Sequence, residues 1–155
     1  MIPLTILSDI DIIECLHNGD LKIAPFCESS LTAAGYDLSS SSTLLIHPLE
    51  QGLIHTIEHL ELGPSLCGQI YIRSSFAREG LLGSFAFIDP GFKGQLTLSL
   101  VNLGASTVQI GERERIAQVV FSRTGSPSSR PYSGRYQNSK GTVPSHRIFN
   151  QTYKN

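Results

Sequence analysis

The stretch "AFIDPGFKGQLTLSLVN", residues 86–102, decides how the chain is read. Asp89 precedes a tight Pro90-Gly91 turn, and a strand with strict alternation follows. Leu96, Leu98 and Leu100 point one way; Gln95, Thr97 and Ser99 point the other. A period of two over this length is the mark of a half-buried β-strand. "TLLIHP", "GLIHTIEHLEL", "GQIYIR" and "RIAQVVF" repeat the pattern, separated by Pro/Gly turns at short intervals. Such spacing predicts a small all-β barrel or jelly roll. Two helices are expected beside it. One spans residues 8–17, capped by Ser8, with Asp9 and Asp11 at its positive end and Asn18-Gly19 as its stop. The other spans residues 74–82, "SSFAREGLL". "LKIAPF", residues 21–26, reads as a strand ended by proline.

With 155 residues the chain suits one domain, and 40% hydrophobic against 16% charged residues excludes a disordered protein. No apolar run is long enough to span a membrane as a helix, and the opening "MIPLTILSDIDIIE" lacks the basic start of a secretory signal. Cys15, Cys27 and Cys67 are odd in number and widely spaced. They read as buried thiols of a reducing cytoplasm rather than as disulfides or zinc ligands. After Phe121 the composition shifts to Ser, Gly, Pro and Arg. Residues 1–121 are therefore expected to form the β core and residues 122–155 an extended arm with few core contacts. Residues 130–155 carry Arg130, Arg135, Lys140, Arg147 and Lys154 and no acid, while the whole chain has a net charge of -1. A basic segment on an acidic body fits a small polyanion; the concentration of unbalanced positive charge in the arm argues against stable nucleic-acid binding.

Several short patterns carry chemistry. "HTIEH", residues 55–59, matches a zinc-protease spacing, but zinc chemistry needs both histidines on one helix face. In a strand Glu58 points away from His55 and His59, so the zinc reading is rejected. In "IRSSFAREG", Arg73, Ser74 and Ser75 stand where a strand gives way to a helix, and Arg78 follows one turn later. Free N–H groups, hydroxyls and guanidinium forks are phosphate donors. "AAGYDL", residues 33–38, joins a permissive Gly35 to Asp37, and "ERIAQVVF", residues 114–121, presents Gln118. In "RPYSGRYQNSKG", residues 130–141, Tyr132 and Tyr136 can stack on a base while Arg135 and Lys140 meet phosphates.

Taken together these motifs resemble the dUTPase / dCTP deaminase superfamily over nearly the whole chain. "ILSDIDIIECLHNGDLKIAPF", "RSSFAREGLL", "IDPGFKGQLTL" and "RPYSGRYQNSKGTVPS" look like dCTP deaminases. "AAGYDL", "GQLTLSLVNLG" and "ERIAQVVF" are close to trimeric dUTPases. The resemblance implies a distorted jelly roll of the dUTPase-like β-clip type, assembled as a homotrimer with three sites between subunits. It implies Mg²⁺ carried on the nucleotide, Arg73, Ser74, Ser75, Arg78 and Gln118 on the phosphates, and Asp89 as catalytic base. Phe85, Ala86, Phe87 and Ile88 would belong to a hairpin, residues 82–88, that reads base and deoxyribose. Asp37 would sit near the metal through water, and the arm residues Tyr132, Arg135, Tyr136, Gln137 and Lys140 would close over the nucleotide.

Four positions depart from the pattern. The deaminase branch has a glutamate where this chain has Ser99, and a polar or basic residue where it has Phe87. The dUTPase branch has a glycine-rich terminal motif, absent here, and a turn glycine where this chain has Arg113. Ser99 is the informative one. Hydrolysis of dUTP to dUMP and pyrophosphate requires one base to orient and deprotonate water, and Asp89 suffices. Metal-free deamination of cytosine needs a shuttle that returns protons to the ring and the leaving amine, which a serine without an adjacent base cannot supply. The expectation is a dUTP diphosphatase. The alternatives are a dCTP deaminase, a bifunctional enzyme, or a non-catalytic dUTP-binding regulator on the same fold.

Overall fold

The computed structural model describes residues 5–147. Residues 1–4 and 148–155 lie outside them, and with the latter the end of the expected arm and Lys154. Helix α1 (Asp9–Asn18) begins as expected. The Ser8 hydroxyl accepts from Asp11 N at 3.3 Å, and the Asp11 carboxylate accepts from Ser8 N at 2.9 Å, a closed capping box. Gly19 ends the helix at φ +83°. The apolar side of α1 buries Ile12 and Cys15.

Ten strands follow: β1 (Leu21–Ala24), β2 (Leu31–Thr32), β3 (Gly35–Ser39), β4 (Leu44–Ile46), β5 (Gln51–Leu62), β6 (Leu66–Ile72), β7 (Leu81–Ser84), β8 (Lys93–Asn102), β9 (Val108–Ile110) and β10 (Arg115–Arg123). They form two four-stranded antiparallel sheets, ordered β1-β5-β8-β7 and β2-β3-β10-β6, with β4 and β9 paired separately. The inward faces share one core, in which Tyr36, Leu38, Ile54, Leu60, Leu98, Leu100, Val119 and Phe121 are almost fully buried. On β8 the leucines turn inward and the polar residues outward, as the alternation predicts.

Two expectations are corrected. The interior helix, α2 (Ser74–Arg78), stops four residues short of Leu82. Gly80 adopts φ +92°, and a Cβ there would lie 2.5 Å from Gly104 N, so the chain turns at a point only glycine permits. Leu81 and Leu82 then pair with Asn102 and Val101 as the start of β7. The arm is also far from free. Strand β10 runs on to Arg123, Tyr132 packs on the core with its ring 5.8 Å from Phe92, and residues 137–143 are hydrogen-bonded onto β8 and the turn before it. The polar composition of that segment hid its partners, which are backbone and side-chain groups of a distant strand.

Strand β5 contains an irregularity. His55 pairs with Thr97 and His59 with Gln95, so three residues of β5 oppose the single residue Leu96. Side chains satisfy the backbone of this excursion. Thr56 Oγ1 accepts from Leu96 N at 3.1 Å and donates to Glu58 O at 2.9 Å, and Gln95 Nε2 donates to Ile57 O at 3.1 Å. The Glu58 carboxylate points into the interior and accepts from Ser39 N at 2.9 Å; burial pushes its pKa up. His55 and His59 are half-buried on the outer face. Among the described residues no cluster of His, Cys, Asp and Glu could hold a metal ion, and no helix is long and apolar enough to cross a membrane.

Candidate functional site

A cleft of about 600 Å³ opens between the outer face of β8, the segment 85–89 and the arm. Asp89 is the one carboxylate among its described lining residues. Its backbone is held on both sides. Ile88 exchanges hydrogen bonds of 2.8 and 2.9 Å with Gly68, Gly91 N donates to Leu62 O, and Phe92 N donates to Asp89 O. The side chain is exposed to the cleft, and its charge is a secondary cause, after burial, of the raised pKa of the neighbouring Cys67 thiol. An exposed carboxylate on a fixed turn is suited to activating water.

The walls are largely apolar. Phe85, Ala86, Phe87 and Ile88 line the cleft as expected, with Ile70, Phe92, Tyr132 and Tyr136. Ser99 lies on its floor, 2.7 Å from Gln51 Nε2. The sequence reading did not identify Gln51, nor Val143, Pro144 and Ser145 of the arm, which also line the cleft. Gln51 begins a strand and has no motif around it; only its pairing with Val101, next to Ser99, brings it here.

The other arm residues serve the arm's own shape. Gln137 Oε1 accepts from Lys93 N at 2.8 Å while its Nε2 donates to Gly91 O at 2.8 Å, so it anchors the arm root rather than facing the cleft. Arg135 donates to His146 O, and the Tyr136 ring stacks on His146 with centroids 5.2 Å apart. Lys140 is exposed.

The expected phosphate residues lie elsewhere: Ser74, Ser75 and Arg78 are on α2, and Gln118 and Asp37 on the other sheet with Arg73 beside Asp37. None of Arg73, Ser74, Ser75, Arg78, Gln118 and Asp37 lines the cleft. Gln118 on β10 pairs with Asp37 on β3 and with Tyr71 on β6. Asp37 is buried and has Arg73 Nε at 3.7 Å and Arg115 Nη1 at 3.9 Å. Arg115, which the sequence reading did not single out, is thus the second cation of this group; its position three residues before Gln118 was the available signal. Two guanidiniums around one carboxylate leave an excess positive charge suited to an anion. The same pairing occupies Asp37, so no resident metal centre is built there. Gly35 brings β10 close: a Cβ would meet Val119 O at 2.6 Å.

Residues 39–124 match the family described as dCTP deaminase-like. The dCTP deaminase of Pyrococcus abyssi is 41% identical over 143 residues, covering 83% of this chain and 93% of that protein. The probable deoxyuridine 5'-triphosphate nucleotidohydrolase of Sulfolobus islandicus rod-shaped virus 1 is 34% identical, covering 89% and 96%. Among solved structures, the native EIAV dUTPase superimposes with a TM-score of 0.60 at 24% identity, over 74% of this chain and 98% of that one. The dCTP deaminase of Agrobacterium tumefaciens gives 0.67 at 16% identity, over 78% and 49%. These two likenesses concern the fold.

Proposed function

Because the chain belongs to the dCTP deaminase-like family, within the dCTP deaminase / dUTPase superfamily, we propose that this enzyme is a dUTP diphosphatase that releases dUMP and pyrophosphate. The observation that carries this reading is the cleft floor. Asp89 is the one carboxylate among its described lining residues, and Ser99, engaged by Gln51, lines the same cleft. One fixed carboxylate can orient water and accept its proton during in-line attack on the α-phosphorus. Ring deamination needs a second protonable group beside the base, and Ser99 has no basic partner within the cleft.

In this reading the substrate is the Mg²⁺ complex of dUTP, with the ion carried on the triphosphate. The Phe85–Ile88 segment takes the base and deoxyribose, and Tyr132 and Tyr136 cover them. Arg73, Ser74, Ser75, Arg78 and Gln118 take the phosphates, with Asp37 near the ion through water. These two groups lie apart on a single chain, which supports a homotrimer whose sites are each completed by a neighbouring subunit. The residues 1–121 serve as the core in this scheme and the arm as its cover.

A second reading, dCTP deamination alone or beside dUTP hydrolysis, is favoured by the relatives' names: seven relatives at 39–42% identity are named dCTP deaminases. The deciding experiment incubates the purified chain with Mg²⁺ and either dUTP or dCTP and measures pyrophosphate and ammonia. The proposal expects pyrophosphate from dUTP and no ammonia from dCTP; ammonia at a turnover-competent rate refutes it in favour of the second reading. Binding of dUTP without product points instead to a regulator. In the hydrolysing enzyme, Asp89→Asn retains nucleotide binding and loses about 10²–10⁴-fold in kcat; full activity refutes the assignment of the base.

A further inference from the structure

Ser99 faces the cleft, and the two preceding polar residues on the same face of β8, Gln95 and Thr97, line it too but are bonded to the arm. Gln95 Oε1 accepts from Gly141 N at 2.8 Å, and Thr97 Oγ1 accepts from Val143 N at 3.0 Å. His55, beside Thr97 on β5, places Nδ1 2.9 Å from Thr142 Oγ1 and 3.0 Å from Ser41 Oγ. Three consecutive arm residues are thus gripped by three side chains. The last of them, Val143, and the two residues after it, Pro144 and Ser145, line the cleft.

We infer that Gln95, Thr97 and His55 form a dock that sets residues 143–145 over the Asp89 cleft, and that they are positioning residues for the reaction; the catalytic half of this statement rests on the reading of the cleft given above. The orientation of Gln95 is fixed from two sides. Its Nε2 donates to Ile57 O, a carbonyl freed by the β5 excursion, which leaves Oε1 facing the arm. The excursion within "HTIEH" therefore has a use: it aims an amide. The backbone joins the same grip, since Gln95 N donates to Ser139 O at 2.9 Å and Asn138 N to Lys93 O at 2.7 Å. Beyond Ser139 side-chain acceptors take the place of a partner strand, Gln95 Oε1 for Gly141 N and Thr97 Oγ1 for Val143 N, so the arm's backbone groups stay paired as it crosses the face of the sheet.

Thr97→Val tests this with the least disturbance, because it removes the acceptor for Val143 N, keeps the shape and leaves the excursion untouched. The full chain, free of nucleotide, is digested with limiting trypsin. Cleavage after Lys140 and Arg135 is followed by mass spectrometry against cleavage after Lys22 in the core. Where opening is fast relative to cleavage, the rate follows the open population. Loss of one net hydrogen bond raises that population about fivefold. Thr97→Val is expected to raise arm cleavage by that factor, Gln95→Leu by more, and Thr97→Ser not at all. KM for the nucleotide turned over rises in Thr97→Val while kcat changes less, and Thr97→Ser restores both. Native cleavage rates in Thr97→Val overturn the dock. Raised cleavage with unchanged KM overturns its role in positioning. If neither nucleotide is turned over, the reading of the cleft fails while the digestion still decides the dock.

Discussion

Asn102, at the end of β8, offers a quantitative test of how the site-bearing strand is held. Its side chain is fully buried and has every polar group matched. Nδ2 donates to Ile46 O at 2.9 Å and to Ser106 O at 2.8 Å, and Oδ1 accepts from Gly104 N at 2.8 Å. One residue thus ties β8 to β4 and to the loop that leads to β9. Asn102→Ala leaves three backbone groups without partners. The Ile46 carbonyl is sealed from water and should cost about 2 kcal/mol; the other two, reachable by solvent, about 1 kcal/mol each. The expected loss is about 4 kcal/mol, a large part of a typical domain's stability. Asn102→Asp keeps the acceptor for Gly104 N but turns a carboxylate toward two carbonyls, so at neutral pH it should be at least as damaging. On acidification it should recover in part, because a protonated carboxyl can donate to one of them. Urea unfolding at equal protein concentration measures all three chains. A loss below about 1 kcal/mol for Asn102→Ala refutes the reasoning.

Two further substitutions probe charge and backbone. Burial raises the pKa of Glu58, so its folded form favours the proton; that contribution is complete below the unfolded value near 4.5 and is lost as pH rises through the folded value. Glu58→Gln is neutral at every pH, so its urea midpoint should gain on the native chain between pH 4 and pH 8, and a constant difference contradicts the assignment. Arg113 stands at φ +62°, in the left-handed region, where dUTPase-like sequences are expected to carry glycine. Arg113→Gly keeps the bond from the backbone N–H to Ser40 O and should stabilise the chain by about 0.5–1 kcal/mol, read as a higher urea midpoint; a lower one shows that the Arg113 side chain contributes to the fold.

The alternation of β8, the Ser8 cap and the positions of β1, β4, β5, β6 and β10 were legible in the sequence because each depends on neighbours in the chain. The β5 excursion was not, for a specific reason. It adds two residues, an even number, so inside and outside keep their order: Ile54, Thr56, Glu58 and Leu60 are all buried. A pattern of period two is blind to an insertion of two. The start of β7 was absorbed into a helix because the leucines after Gly80 fit either period. The arm is expected to make few core contacts because its partners, Gln95 and Thr97, are side chains of a strand more than 40 residues away. For the site, Asp89 and the segment before it were found where motif and cleft coincide. Gln51 and Arg115 join their groups only through strand pairing.

The turn that bears Asp89 and the root of the arm constrain each other. Gly91 adopts φ +85°, and a Cβ there would lie 2.5 Å from Pro131 Cβ, so the arm passes directly against the turn. Tyr132 N donates to Pro90 O at 2.8 Å, and Gln137 bonds both Gly91 O and Lys93 N. The backbone of the turn is therefore closed on one side by Leu62 and Gly68 of the core and on the other by the arm, while the Asp89 side chain stays in the cleft. A carboxylate that must orient water needs its side chain open to that water. It also gains from a backbone that cannot move. Exposure of the side chain with fixation of the peptide units on both sides meets both needs, and the glycine in "DPG" is required because the fixing element comes from the far end of the chain.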